Sequence, residues 1–267
     1  MDEELKILAQ DIVKKTERKV RYTIKHEPFK IGKTIGLGAD GTPTKYIDKI
    51  AEDVAIKTLK KSDVAVNLLS EEAGLIDQGG DYLFILDPVD GTRNATRGIP
   101  YFSVSLAIGK KKVSDIEFGI VKNIANKDEF IVEHKLGSFF NKNPVVIPDV
   151  PANEPLFDFT FSKRYDSLIE ELSSHHAIRS FGCASLEMCM VATGSLDAYI
   201  VCDEYMRITD IAASTLFVKE AGGIVADING KKLQMNLDLD ARTSMIAAGN
   251  EKIIRSIVNL RKKQVMD

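Results

Sequence analysis

The stretch LFILDPVDGT, residues 83–92, constrains this chain more than any other. Its apolar run reads as a buried strand, yet it stops at two carboxylates, Asp87 and Asp90, followed at once by Gly91 and Thr92. A plain strand–turn boundary needs one Asp at most. Two more acids stand at the ends of apolar elements: Glu71, after the β-type run VAVNLLS (64–70), and Asp210, opening a helix far downstream. Two unit charges a few ångströms apart at intermediate dielectric repel by about 4 kcal/mol. Carboxylates gathered in one place therefore raise a pKa, recruit cations, or never meet.

Each acid taken alone has an ordinary structural reading. Asp87-Pro88 starts turns, Asp90-Gly91 is a turn dipeptide, and Asp210 suits a first helical turn. Together, Asp-Pro-x-Asp-Gly-Thr places two carboxylates and a hydroxyl around one tight segment. Its acids can hold metal ions and its glycine-freed amides a phosphate oxygen. Hard oxygen ligands without paired His or Cys favour Mg2+ or Mn2+ over zinc. The four histidines, His26, His134, His175 and His176, have no ligand-like spacing and read as surface residues in polar loops.

The rest of the chain fits a water-soluble protein. Of its 267 residues 44% are hydrophobic and 28% charged, which is too apolar for disorder and enough for one large domain or two moderate ones. A net charge of −3 gives no reason to expect a nucleic-acid partner. Three cysteines, Cys183, Cys189 and Cys202, without a CxxC pair, read as buried thiols of a reducing compartment. The charged, helix-periodic start MDEELKILAQDIVKKTERKV is unlike a signal peptide, and no apolar run approaches a membrane span, so the cytoplasm is expected.

Leu5, Leu8, Ile12 and Val13 predict an amphipathic helix over 3–18, and Ile47, Ile50, Val54 and Leu59 a second over 46–60. Between them, 27–43 is rich in Gly, Thr and Lys and reads as a long mobile loop. The runs YLFIL, FSVSLAIG, IEFGIV and EFIVE predict an antiparallel meander. The twin-proline stretch DVPANEP suggests a boundary near residue 150, dividing 1–150 (helices on an antiparallel sheet) from 151–267. Beyond it, FDFTFS, AIRSF, DAYIV, IVADING and SMIAAGN alternate with helical segments, an α/β pattern.

DPVDGTRN (87–94), with Glu71-Glu72 upstream and TDIAAS (209–214) downstream, resembles the inositol monophosphatase family of metal-dependent sugar phosphatases. TKYID (44–48), RSFGCASLEMCMVATGSLDAY (179–199) and VKEAGGIVADING (218–230) fall in the family's order, so the resemblance covers almost the whole chain. It is similar in particular to the archaeal type, which acts on inositol phosphates and on fructose 1,6-bisphosphate.

The resemblance implies an α+β, α/β fold: a layered α-β-α-β-α sandwich in a homodimeric enzyme. It implies two or three Mg2+ ions (Mn2+ as an alternative) per site. Glu71, Asp87 and the Val89 carbonyl would hold the first, and Asp87, Asp90 and Asp210 the second. Thr92, paired with Asp48 and aided by Glu71, would direct a water in line at phosphorus, with no covalent intermediate. Gly91 and Thr92 would bind phosphate, and Glu72 would orient the ligands. Asp40, in the 30–41 loop, is a further metal candidate.

The expected substrate is a small phosphorylated polyol or sugar. Asp90, Ala184, Asp203 and Arg207 are its candidate contacts, Asp203 suiting polyol hydroxyls and Arg207 a second phosphate. A surface ion pair between Asp203 and Arg207 is their structural alternative, and Lys163 and Arg164 are further candidate cations. The family's tryptophan before the downstream aspartate is Thr209 here. A 3′(2′),5′-bisphosphate nucleotidase is the alternative enzyme, though no aromatic-rich segment suggests adenine stacking. A non-catalytic regulatory relative is the alternative outside enzymes, set against six intact residues: Asp48, Glu71, Asp87, Asp90, Thr92 and Asp210.

Overall fold

Asp2 opens the first helix by accepting the Glu4 amide proton at 3.0 Å. In the computed structural model, which describes residues 1–148, 154–160 and 167–266, that helix, α1, runs Glu3–His26. It is eight residues longer than the apolar period predicts. Its buried stripe continues through Thr16, Glu17, Val20 and Thr23, and polar side chains on that face hide the period. Helix α2 spans Tyr46–Leu59 as expected. The intervening segment contains a two-stranded antiparallel hairpin, β1 (Thr34–Leu37) and β2 (Pro43–Lys45), where the sequence suggested only a loop.

The meander is one eight-stranded sheet among the described residues. Its strands are β3 (Asn67–Ser70), β4 (Gly74–Ile76), β5 (Leu83–Asp90), β6 (Ser103–Gly109), β7 (Phe118–Asn123), β8 (Glu129–Glu133), β9 (Gly137–Phe140) and β10 (Asn143–Val145), with a short helix α3 (Thr92–Arg97) after β5. The order is β10-β9-β8-β7-β6-β5-β3-β4, antiparallel except for β3 beside β5. The second half comprises β11 (Leu156–Thr160), α4 (Ser167–His175), β12 (Ala177–Arg179), α5 (Ala184–Ala192), β13 (Ala198–Arg207), α6 (Ile208–Glu220), β14 (Ile224–Asp227), β15 (Arg242–Ala248) and α7 (Glu251–Met266). Its sheet has the order β12-β11-β13-β15-β14 and mixes parallel with antiparallel pairs. Strand β13 outruns the apolar DAYIV because β15 pairs with it on both sides of an irregularity between Val201 and Met206.

Five layers result. Helices α1 and α2 cover one face of the large sheet, while α5 and α6 contact the strands of both sheets and so lie between them. Helices α4 and α7 pack together on the small sheet's outer side. Three apolar clusters fill the spaces, and burial of this surface is the main force holding the layers. The central cluster joins Ile85 and Val121 of the large sheet to Leu186, Phe217 and Met245, so residues on both sides of position 150 share one core. Position 150 itself lies outside the described residues, as do Lys163 and Arg164. Sandwiching explains why all eight residues of β5 are buried, and why α5 and α6 lack a polar face. Among the described residues no helix is long and apolar enough to cross a membrane.

Candidate active site

Strand β5 does not stop at Asp87. It continues to Asp90 through a break in register, Asp87 opposing Ser105 and Asp90 opposing Ser103. Three steps on β5 match two on β6, which is a bulge, and it falls between Asp87 and Asp90, a stretch that contains Pro88, which cannot donate to a ladder. Side chains of a regular strand alternate, so residues three apart point to opposite faces. The extra residue cancels that alternation, and Asp87 and Asp90 both line one cleft of about 780 Å3. Gly91, at φ 85°, then turns the chain into α3.

Two other acids reach the cleft from first helical turns built alike. Asp48 is the third residue of α2 and accepts the Lys45 N–H at 3.2 Å; Asp210 is the third of α6 and accepts the Arg207 N–H at 3.4 Å. The ordinary first-turn reading of Asp210 is thus true together with the functional one. Carboxylate oxygens of Glu71, Asp87 and Asp210 come within 4.8 Å of one another. Thr92 Oγ1 lies 2.9 Å from Asp48 Oδ1 and 3.0 Å from the Val89 carbonyl. Glu72 accepts the Thr44 hydroxyl and lines the cleft, as does Ala184. Thr209 is fully buried, its hydroxyl 3.4 Å from Asp210 Oδ1.

Crowding of buried acids shows in their protonation. Burial pushes Glu71 up to about 8, with Arg207 opposing and Asp210, Asp40 and Asp48 adding to the rise. Burial pushes Asp48 up to about 7, against the pull of Thr92. Asp87, buried beside Asp90 and Glu71, is held well above the carboxylate range. Asp90 rises only to about 6, because hydrogen bonds from Ser185 and Cys183 partly offset burial and Asp210. Oxygen-only donors in close array, with raised proton affinity, fit a hard divalent cation. Glu71, Asp87, Asp90, Asp210 and the Val89 carbonyl are the groups that could hold it.

Arg207 turns toward these acids. It takes Asp210, Glu71 and Asp40 as ion partners, in place of the surface pair with Asp203 that the sequence allowed. Asp203 sits in the irregular stretch of β13 and is not among the residues lining the cleft, whereas Tyr205 is. Asp40 belongs to the hairpin tip, whose Ala39 amide bonds the Glu72 carbonyl at 3.0 Å. Two histidines expected in loops, His26 and His175, end helices instead, and His134 pairs with Glu220.

Sequence reading missed four residues. Ser185 donates both its amide and its hydroxyl to Asp90 Oδ2, at 2.7 and 2.6 Å, and Cys183 Sγ stands 3.2 Å from the same oxygen. Asn94 donates to the carbonyls of Tyr101 and Phe181, stitching α3 to the loop before α5. Tyr205 is 56% exposed at the cleft. The Ser of GCAS, standing in the first turn of a helix, was the one available signal.

Known proteins resemble this chain over the same span. The profile of the inositol monophosphatase family matches residues 2–264. A Methanothermobacter thermautotrophicus protein named fructose-1,6-bisphosphatase/inositol-1-monophosphatase is 36% identical over 244 residues, 85% of this chain and 87% of that protein. A bifunctional NADP phosphatase/NAD kinase of Methanococcus maripaludis is 37% identical over 277 residues, covering 95% of this chain but 48% of its own length, so the chain spans about half of that relative. A solved Pyrococcus horikoshii structure, described as having similarities to inositol-1 monophosphatase, superposes with a TM-score of 0.83 at 31% identity, covering 96% of this chain and 97% of that one. With the acids of DPVDGT, Glu71 and Asp210 converging as described, the chain belongs to the inositol monophosphatase family.

Proposed function

We propose that this chain is a metal-dependent phosphomonoester hydrolase acting on inositol 1-phosphate, fructose 1,6-bisphosphate or both, with Mg2+ as its cofactor. One observation carries the proposal: the oxygens of Glu71, Asp87 and Asp210 close to within 4.8 Å beside the Thr92–Asp48 pair. Three acids brought this close outnumber the one guanidinium beside them, and packing buried acids together is costly without further positive charge. When bound, Mg2+ supplies charge stabilisation for phosphoryl oxygens and makes water easier to deprotonate.

The chain's own residues do the rest. Thr92 has one hydroxyl proton; given to Asp48, it leaves the oxygen lone pairs to accept from a water. That water is thereby oriented, and Asp48, with its pKa near 7, is poised as the proton's destination. Gly91 and Thr92 open α3, whose first amides have no intrahelical acceptor and suit a phosphate oxygen. Ser185 fixes Asp90, and Thr44 fixes Glu72. Ala184 at the start of α5 lies on the cleft wall, where a substrate's polyol end would rest. The substrate is a small phosphorylated molecule, and a cytoplasmic homodimer of two-domain subunits divided near residue 150 is part of the same reading.

A second reading takes the 2′-phosphate of NADP as the group removed. It is supported by the NADP phosphatase/NAD kinase relatives at 37% and 35% identity, each matched over 95% of this chain. Tyr205 adds to it, as an exposed ring at the cleft that can stack a base. Phosphate release is measured from inositol 1-phosphate, fructose 1,6-bisphosphate and NADP, with Mg2+ and with EDTA. Release that requires Mg2+ is expected, and the ranking of kcat/KM names the substrate. No release from any of the three, or release indifferent to EDTA, would overturn the proposal.

A further inference from the structure

Arg207 ends β13 with its side chain among the acids. Its Nε lies 3.2 Å from both oxygens of Asp210. One terminal nitrogen lies 2.9 Å from Asp40 Oδ2 and also contacts Glu71 Oε1. Among the described residues it is the one cation ion-paired to Glu71 or to Asp210. Those two carboxylates belong to the trio that closes to within 4.8 Å. A guanidinium and a divalent ion would therefore draw on the same two carboxylates, and at contact distance two cations repel.

The third partner extends the consequence. Asp40 is not part of the trio but sits at the tip of the β1–β2 hairpin. That tip lies close against the backbone after β3. The Ala39 amide donates to the Glu72 carbonyl at 3.0 Å, and a Cβ on Gly38 would stand 2.6 Å from Glu72 Oε2. One guanidinium thus ties the hairpin to the acid cluster.

We propose that Arg207 is a built-in counter-cation of the metal-free protein, and that divalent-ion binding is an exchange in which the guanidinium gives up Glu71 and Asp210. The proposal rests on reading Glu71, Asp87 and Asp210 as metal ligands. Arg207 then lowers metal affinity while holding the acids and the hairpin together until metal arrives. It is a positioning residue, acting through the carboxylates it occupies.

Mn2+ titration followed by the electron paramagnetic resonance of the free ion tests this on wild type, Arg207→Gln and Arg207→Lys. Removing the competitor should tighten Mn2+ binding on the order of tenfold in Arg207→Gln, within the usual range of a coupling between two ligands. Arg207→Lys keeps the charge and should stay within about threefold of wild type. General damage to the site would weaken binding, so a gain separates competition from misfolding. Equal or weaker binding by Arg207→Gln would overturn the proposal, whereas failure of wild type to bind Mn2+ would overturn the metal reading beneath it.

A wild-type measurement stands beside the variants. In arginine-labelled protein, the Arg207 Nε proton should exchange slowly without metal and faster once Mg2+ saturates the site. Unchanged exchange at saturation would count against the exchange even if Arg207→Gln failed to fold.

Discussion

Thr92 Oγ1 stands 2.9 Å from Asp48 Oδ1, a hydrogen bond closed across 44 positions of chain. Its geometry gives the hydroxyl a second acceptor, the Val89 carbonyl, but only one proton. Whichever acceptor takes the proton, the oxygen's lone pairs remain for a donor in the cleft. Thr92→Val keeps the shape and removes the hydroxyl, so kcat should fall roughly 10²–10⁴-fold, the usual worth of a proton-transfer group. Thr92→Ser should retain most activity. The check is kcat at saturating Mg2+ with circular dichroism as the fold control; a Val variant within threefold of wild type would remove Thr92 from the chemistry.

The raised carboxyl pKa values make a prediction with a definite sign. Glu71 titrates at about 8, Asp48 at about 7 and Asp90 at about 6 in the folded, metal-free chain. Unfolded, the same groups titrate near 4. Between those limits the folded state holds protons that the unfolded state has lost, so stability falls as pH rises. The contribution is complete below about pH 4 and gone above about pH 8. A divalent ion takes the protons' place, so the difference between Tm with Mg2+ and Tm with EDTA should grow from pH 5 to pH 8. A difference that is flat or shrinks over that range, measured by differential scanning calorimetry, would contradict the assignment.

Asp90 and Ser185 provide a graded pair. Asp90→Asn removes a charge from the cluster and should abolish turnover while leaving the Tm within a few degrees of wild type. Ser185→Ala leaves the amide bond to Oδ2 but deletes the 2.6 Å hydroxyl bond. Orienting partners of metal ligands are worth about 10–100-fold, so kcat/KM should fall near the lower end. Cys183, 3.2 Å from the same oxygen, keeps the carboxylate partly held. Undiminished activity in Asp90→Asn, read from phosphate release, would sink the metal assignment.

The cluster itself was legible in the sequence because DPVDGT, Glu71 and Asp210 are marked by abrupt acids at the ends of apolar runs. What could not be read was how two aspartates three apart face one way. That depends on a bulge between them, and a bulge shows only against the partner strand. The full length of α1 was hidden by Thr16, Glu17 and Thr23 on its buried face. The β1–β2 hairpin was hidden because β1 is exposed throughout and β2 is three residues long with a threonine as its buried residue, so neither carries an apolar alternation. Arg207 was visible as a cation near Asp210, but its hold on Asp40 and Glu71 spans 167 and 136 positions, a separation that no local pattern records.

Gly91 joins the two halves of the site, and replacing it should uncouple them. Its φ of 85° is one that L side chains rarely adopt. A Cβ there would also meet Cys183 Cβ, the Gly182 carbonyl and Phe102 Cβ, each at 3.2 Å. The neighbours cannot withdraw freely, since Cys183 is fully buried and Gly182 belongs to the loop tied by Asn94. Left-handed backbone costs about 1–2 kcal/mol and overpacking about 1–3, so Gly91→Ala should lower Tm by roughly 5–10 °C. Activity should fall further than stability does, because Asp90 and Thr92 flank the residue that must move. Gly36→Ala is the control: no atom lies within 4 Å of its Cβ position and its φ is not left-handed, so Tm should change by less than about 2 °C. Equal effects of the two substitutions would show that the turn into α3 places nothing that catalysis needs.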